Sequence, residues 1–135
     1  MTMILLVEDN EMNRDMLGRR LGRSGYIVCF AVDGPSGVAM ALSEKPDLIL
    51  MDVALGEMDG WEATRLIKRN PETAKIPVIA LTAHALASDR ETSVKVGCAE
   101  FDTKPVDMPR LLTKIKACLP AYIGVERRIA SRNNH

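Results

Sequence analysis

Four short apolar runs punctuate the chain: Met3–Val7, Ile27–Ala31, Leu48–Met51 and Val78–Leu81. Each is four or five residues long. A short continuous apolar run is the pattern of a strand covered on both faces, which is how the strands of a parallel sheet read. A weaker run, 99–103, follows Gly97 and makes a fifth candidate. Helical spacing fills the gaps. Met12, Met16, Leu17 and Leu21 share one face behind an Asp9–Asn10 cap, and Gly25 closes that segment. Gly18 and Gly22 weaken it by about 1 kcal/mol each relative to alanine. Asp33-Gly34-Pro35 opens a second helix, which ends before Pro46. Trp61, Thr64, Ile67 and Lys68 mark a third, stopped by Asn70-Pro71. A fourth spans about Ala87 to Val96, and Leu111, Leu112, Ile115 and Leu119 mark a fifth, which Pro120 ends.

Strand and helix therefore alternate five times. Right-handed crossovers put helices on both faces of a parallel sheet. The expected fold is α/β, a doubly wound five-stranded parallel sheet in the order 2-1-3-4-5, flavodoxin-like. At 135 residues the chain fits one domain, which buries roughly 68% of its unfolded surface and needs no disulfide or metal to hold its core. The expected division is a domain over 1–119 and a short basic tail over 120–135.

Charge and cysteine narrow the function classes. The formal net charge is zero, which argues against direct nucleic-acid binding. Acid concentrates at the front, with ten acids against five bases over residues 1–60, while residues 110–135 hold one acid and six bases. Cys29, Cys98 and Cys118 form no CxxC pair, and His84 and His135 complete no zinc spacing. The cysteines read as small buried hydrophobes of a reducing cytoplasm. No apolar run approaches the roughly 18 residues of a membrane span. The N-terminus lacks a cationic lead and is not expected to be a signal peptide.

Ligands of open α/β sheets bind beyond the carboxyl ends of the strands, at the topological switch point. Strand 1 ends in Glu8-Asp9, strand 3 in Asp52, strand 4 in Thr82 and strand 5 in Lys104-Pro105. Strands 1 and 3 are neighbours in this order, so three carboxylates converge, with a hydroxyl and an ammonium across from them. Like charges that close require a counter-charge. Lys104 supplies one, and the excess suits Mg²⁺, which takes one or two carboxylates and keeps several waters. Carboxylates, lysine, hydroxyl and magnesium make a phosphoryl-transfer set, because that chemistry is mostly positioning and neutralisation. No GxxxxGK[ST] or GxGxxG loop follows any strand, so no nucleotide cradle is expected. Each residue alone has a plainer reading: Asp9 as a helix cap, Asp52 as the start of a turn, Thr82 as the cap of the fourth helix, Lys104 as a solvated charge. Their joint occurrence at four strand ends favours one site.

These residues resemble the receiver domains of two-component response regulators. The resemblance lies in LLVEDNEMNR (5–14), PDLILMDVALGEMDGWEATR (46–65), IPVIALTAHA (76–85) and FDTKPV (101–106), and covers about residues 3–119. It implies that Asp52 is the phosphoacceptor and that Glu8 and Asp9 organise Mg²⁺ with it, Asp9 more directly and Glu8 largely through water. Ala54 would offer its backbone carbonyl to the metal. Thr82 would be the switch hydroxyl, Lys104 the phosphate-pairing lysine, Phe101 the switch aromatic, and Pro105 a structural proline following the lysine through a cis bond. The family often has proline four residues after the acceptor, where this chain has Gly56, so a freer loop is expected.

The resemblance implies a cytoplasmic phosphoacceptor, not an enzyme, taking its phosphoryl group from a histidine kinase or histidine phosphotransfer protein. Output to a downstream protein is expected through the face of helix 4, strand 5 and helix 5, where the bases of 110–116 either contact an acidic partner or are simply solvated. A homodimer stays open, while nucleic-acid and membrane contacts are not expected. The 16 residues after Leu119 are too few for a DNA-binding domain. One alternative is a receiver module of a hybrid histidine kinase, against which Met1 and the basic tail weigh. Another is a Mg²⁺-dependent aspartyl-phosphate phosphohydrolase. It is disfavoured because such enzymes commonly carry an acid two residues after the nucleophile, where Ala54 stands, and need a substrate-capping element for which the chain has no room.

Overall fold

The computed structural model describes residues 1–84 and 86–119. The expected tail, 120–135, lies outside the described residues. Strands and helices alternate as β1 (Met3–Val7), α1 (Glu11–Arg23), β2 (Ile27–Ala31), α2 (Gly34–Glu44), β3 (Leu48–Asp52), α3 (Gly60–Arg69), β4 (Val78–Thr82), α4 (Ala87–Val96), β5 (Glu100–Thr103) and α5 (Met108–Cys118). All pairings are parallel, and the order is β2-β1-β3-β4-β5, as the sequence led us to expect. Among the described residues no helix is long and apolar enough to cross a membrane.

The continuous apolar runs follow from the layering. Alternate residues of a strand face opposite sides, so Ile4 and Leu6 pack with Leu17, Leu21, Leu111 and Ile115 of α1 and α5. Leu5 and Val7 pack with Ala41, Ala63 and Ile67 of α2 and α3. β3 and β4 are likewise buried throughout. β2 departs from the expectation of burial on both faces, since Ile27 and Phe30 are each 43% exposed. It is an edge strand with β1 as its one neighbour, and the helices do not cover its outer rim.

β3 and β4 each run one residue past their apolar run. Asp52 still pairs in register with Leu81, and Thr82 with Thr103. Both polar residues are therefore fixed by the ladder at the carboxyl edge of the sheet. α1 is capped by Asn10, whose side chain accepts from Asn13 N–H at 2.9 Å, so Asp9 is free of that duty. α2 opens on an Asp33–Ser36 capping box. α4 has Leu86 at its N-cap and no side-chain cap, so Thr82 does not cap it.

Candidate functional site

Glu8 follows directly on β1. Its N–H donates to Ala31 O at 3.0 Å, and its own carbonyl accepts from Arg14 Nη1 at 3.0 Å. The backbone is thus held from both β2 and α1, and the side chain turns inward, 1% exposed. Asp52, at the end of β3, is 3% exposed, whereas Asp9 stands in solvent. Carboxylate oxygens of Glu8, Asp9 and Asp52 lie within 4.8 Å of one another. Lys104 is positioned from the far edge: its N–H donates to Thr82 O at 2.7 Å, and the Lys104–Pro105 bond is cis. Its ammonium lies 2.9 Å from Glu8 Oε1 and 3.1 Å from Asp52 Oδ1.

One ammonium does not neutralise three carboxylates. Burial, and then the neighbouring Asp52 carboxylate, push the Glu8 carboxyl up to about 7, with Lys104 pulling the other way. Burial pulls the Lys104 ammonium down, but the hydrogen bond to Glu8 and the charge of Asp52 outweigh it, so its pKa is raised. Glu8 Oε2 is buried with no hydrogen-bond partner. A negative, all-oxygen pocket with an unsatisfied buried oxygen fits a hard divalent cation, and Glu8, Asp9 and Asp52 are the side chains that could hold it. Ala54 lies exposed beside it, its N–H donating to Asp52 Oδ1 at 3.2 Å.

The loop from β3 to α3 bears on the freedom expected of Gly56. Gly56 meets nothing within 4 Å of where a Cβ would stand. The loop is nonetheless held at three other points. Leu55 is buried, and Met58 packs over Gly34 at the start of α2. A Cβ on Gly60 would come within 2.8 Å of Val53 Cα and closer still to Asp52 O. Glycine is required there by close approach of the backbone that carries Asp52.

Thr82 is buried at the end of β4, its Oγ1 accepting from His84 N–H at 3.2 Å; the His84 side chain is exposed. Phe101 pairs in register with Ala80, two residues before Thr82, so Phe101 and Thr82 share a face of the sheet. The Phe101 ring is half-buried, with Arg90 of α4 and Lys114 of α5 near it. The basic residues of α5 are partly spent inside the molecule. Arg110 Nε bonds the buried Asp102 at 2.9 Å, and Lys114 Nζ bonds Phe101 O at 2.7 Å. Sequence reasoning pointed to neither Asp102 nor Arg90. The one signal for Asp102 was an acid inside an otherwise weak strand run.

Parallel sheet, switch-point site, acidic trio and Lys-Pro turn together define a class. The family model for the response regulator receiver domain matches residues 4–116, and the chain belongs to that family. Among curated relatives it is 38% identical to the polar-differentiation response regulator DivK of Brucella anthropi, over 86% of this chain and 94% of that protein. Among solved structures it is similar to the chemotaxis protein CheY4 of Vibrio cholerae, with a TM-score of 0.84 at 27% identity, covering 88% of this chain and 99% of that one. It is also similar to the receiver domain of a Pseudomonas aeruginosa sensor histidine kinase, crystallised with a magnesium ion in its active-site cleft. That match has a TM-score of 0.81 at 36% identity and covers 87% and 97% of the two chains.

Proposed function

We propose that this chain is a phosphoacceptor of two-component signalling, taking a phosphoryl group from a phosphohistidine of a kinase or phosphotransfer protein onto Asp52. The observation that carries this reading is the Lys104 ammonium held between Glu8 and Asp52, with Asp9 alongside. An Asp52 carboxylate oxygen attacks phosphorus in line, the P–N bond breaks, and the imidazole leaves with the electron pair. Lys104 pairs with the transferring oxygens and holds Asp52 in place. Glu8, Asp9, Asp52 and the Ala54 carbonyl would hold a magnesium ion, which would supply neutralisation of the developing charge when bound. The similar sensor-kinase receiver carries that ion in its own cleft, which supports the assignment.

In this reading Thr82 bonds the new phosphoryl group, Phe101 moves toward the space Thr82 leaves, and Pro105 fixes the Lys104 turn. The acyl phosphate adds about −1.5 to −2 of charge, and output follows as a population shift. The receiver unit is assigned to 1–119 and a basic extension to 120–135, in a cytoplasmic setting. The likeness to a sensor-kinase receiver also supports, as a second reading, a receiver module detached from a hybrid histidine kinase.

The test is incubation with Mg²⁺ and acetyl phosphate, followed by intact mass. The wild type is expected to gain one phosphoryl group, and Asp52→Asn none while keeping its fold. A label mapping to another residue, or continuous phosphate release with turnover, would sink the assignment.

A further inference from the structure

We propose that Arg90 and Lys114 both hold the ring of Phe101, and that Arg90 is the positioning residue that ties α4 to wherever that ring sits. The Arg90 guanidinium carbon lies 5.1 Å from the ring centroid and the Lys114 ammonium 5.7 Å. Both fall inside the roughly 6 Å over which a cation is drawn to a ring face.

The two cations differ in what else holds them. Lys114 is fixed to β5 independently of the ring. It donates to Phe101 O at 2.7 Å and stands 3.7 Å from Asp102 Oδ1 and 3.9 Å from Glu100 Oε1. Arg90 has, among the described residues, no carboxylate within ion-pair distance and no hydrogen bond from its guanidinium; the ring is its partner. If the ring moves, Lys114 stays where it is and Arg90 loses its hold.

α4 has little else to keep it in place. Of its ten residues only Ser93 and Val96 are buried. Its aliphatic side chains go largely to solvent, with Leu86 before it 59% exposed and Val94 73% exposed. The hydroxyls of Thr92 and Ser93 bond back to their own helix, at Ser88 O and Arg90 O. A helix without an apolar stripe opens locally at small cost, so one cation–ring contact is a sizeable part of its anchoring. The consequence is directional: displacement of Phe101 reaches α4 through Arg90 and does not reach α5 through Lys114.

This rests on the reading of Phe101 as a mobile residue, but the Arg90 tether itself is tested without any phosphodonor, by amide hydrogen exchange on the full chain. Arg90→Met keeps the stem and the helix propensity and removes the charge. It is expected to speed exchange over residues 91–96 by about two- to fivefold while leaving α5 unchanged. Arg90→Lys restores protection, and in a Phe101→Leu background Arg90→Met adds nothing further. Protection unaltered in Arg90→Met, no rescue by lysine, or additive effects in the double variant would each overturn the tether. In a second arm with Mg²⁺ and acetyl phosphate, exchange is expected to rise in α4 and not in α5. An equal rise in both overturns the directional claim. A missing mass gain in that arm counts against Asp52 phosphorylation and leaves the outcome of the first arm standing.

Discussion

The middle of the sheet's carboxyl edge, at β1 and β3, and its β4–β5 end are built on different terms. At β1 and β3, Glu8 and Asp52 are buried, their backbones are bonded to neighbouring strands, and Gly60 is pressed against the chain that carries Asp52. At β4 and β5 the Thr82 backbone is held by the ladder just as firmly, but its hydroxyl accepts a single hydrogen bond from a nearby N–H, and the helix beyond it buries only two residues. Charge chemistry needs fixed distances, because electrostatic stabilisation depends on groups that do not reorganise. A responding surface needs the reverse, an element whose local opening free energy is low enough for a modest input to shift it. In the proposed reading, one small fold divides the two requirements between adjoining strands.

The strongest perturbation strikes the rigid middle. A carboxyl held above its ordinary pKa binds its proton more tightly folded than unfolded. Glu8 is raised from 4.5 to about 7, so in chelator its contribution is complete below about 4.5 and is lost as pH rises to about 7, by about 3 kcal/mol at most. Urea midpoints across that window are expected to fall in the metal-free wild type and to be flat in Glu8→Gln. Magnesium is expected to reverse the loss near neutrality by binding the native state, and Asp9→Asn to weaken that rescue. A profile that rises with pH in chelator would break the account of the pocket.

Next comes the loop. Gly60→Ala drives a Cβ into the Asp52 and Val53 backbone, and overpacking of this kind costs about 1–3 kcal/mol. Gly56→Ala, with open space around it, is expected to stay within about 0.5 kcal/mol of wild type. Denaturant unfolding of the pair decides it. Equal costs would mean that the loop is held along its whole length, not at the points the structure identifies.

The sequence was most legible where one residue type had one structural use. β1, β3 and β4 could be read from their apolar runs because both faces of each are covered. Asp52, Thr82 and Lys104 could be placed because a parallel sheet sends its strand ends to one edge. Legibility failed where a contact crosses elements. Nothing local says that Asn10 caps α1 and leaves Asp9 free, since either could cap. The burial of Asp102 depends on Arg110 and Lys114 arriving from a later helix. The Arg90–Phe101 contact joins α4 to β5 with no periodicity to announce it. β2 shows the converse, an apolar run that reads as interior yet lies at the sheet's rim.

The mildest perturbation probes the loose end chemically. Cys98 follows the α4 C-cap, Gly97, and its N–H donates to Ser93 O at 2.8 Å, while its thiol packs against the core beside Thr64 and Lys68 of α3, so opening of α4 is expected to loosen the backbone that seats it. Burial pushes its thiol up from 9.0 to about 11, with Lys68 and Thr64 opposing. Only the thiolate reacts, so at about pH 8 alkylation of Cys98 in the native protein is expected to be about a hundredfold slower than in the unfolded chain. Mg²⁺ with acetyl phosphate is expected to raise that native rate by only about two- to fivefold, the scale of one weak anchoring contact. Thr82→Ala should gain the phosphoryl group by intact mass yet lose the acceleration, and Asp52→Asn should lose both. Peptide mapping separates Cys98 from Cys29 and Cys118. A full mass gain with an unchanged Cys98 rate would mean that α4 stays closed on phosphorylation, and the two parts of the sheet's edge would then differ in packing without differing in role.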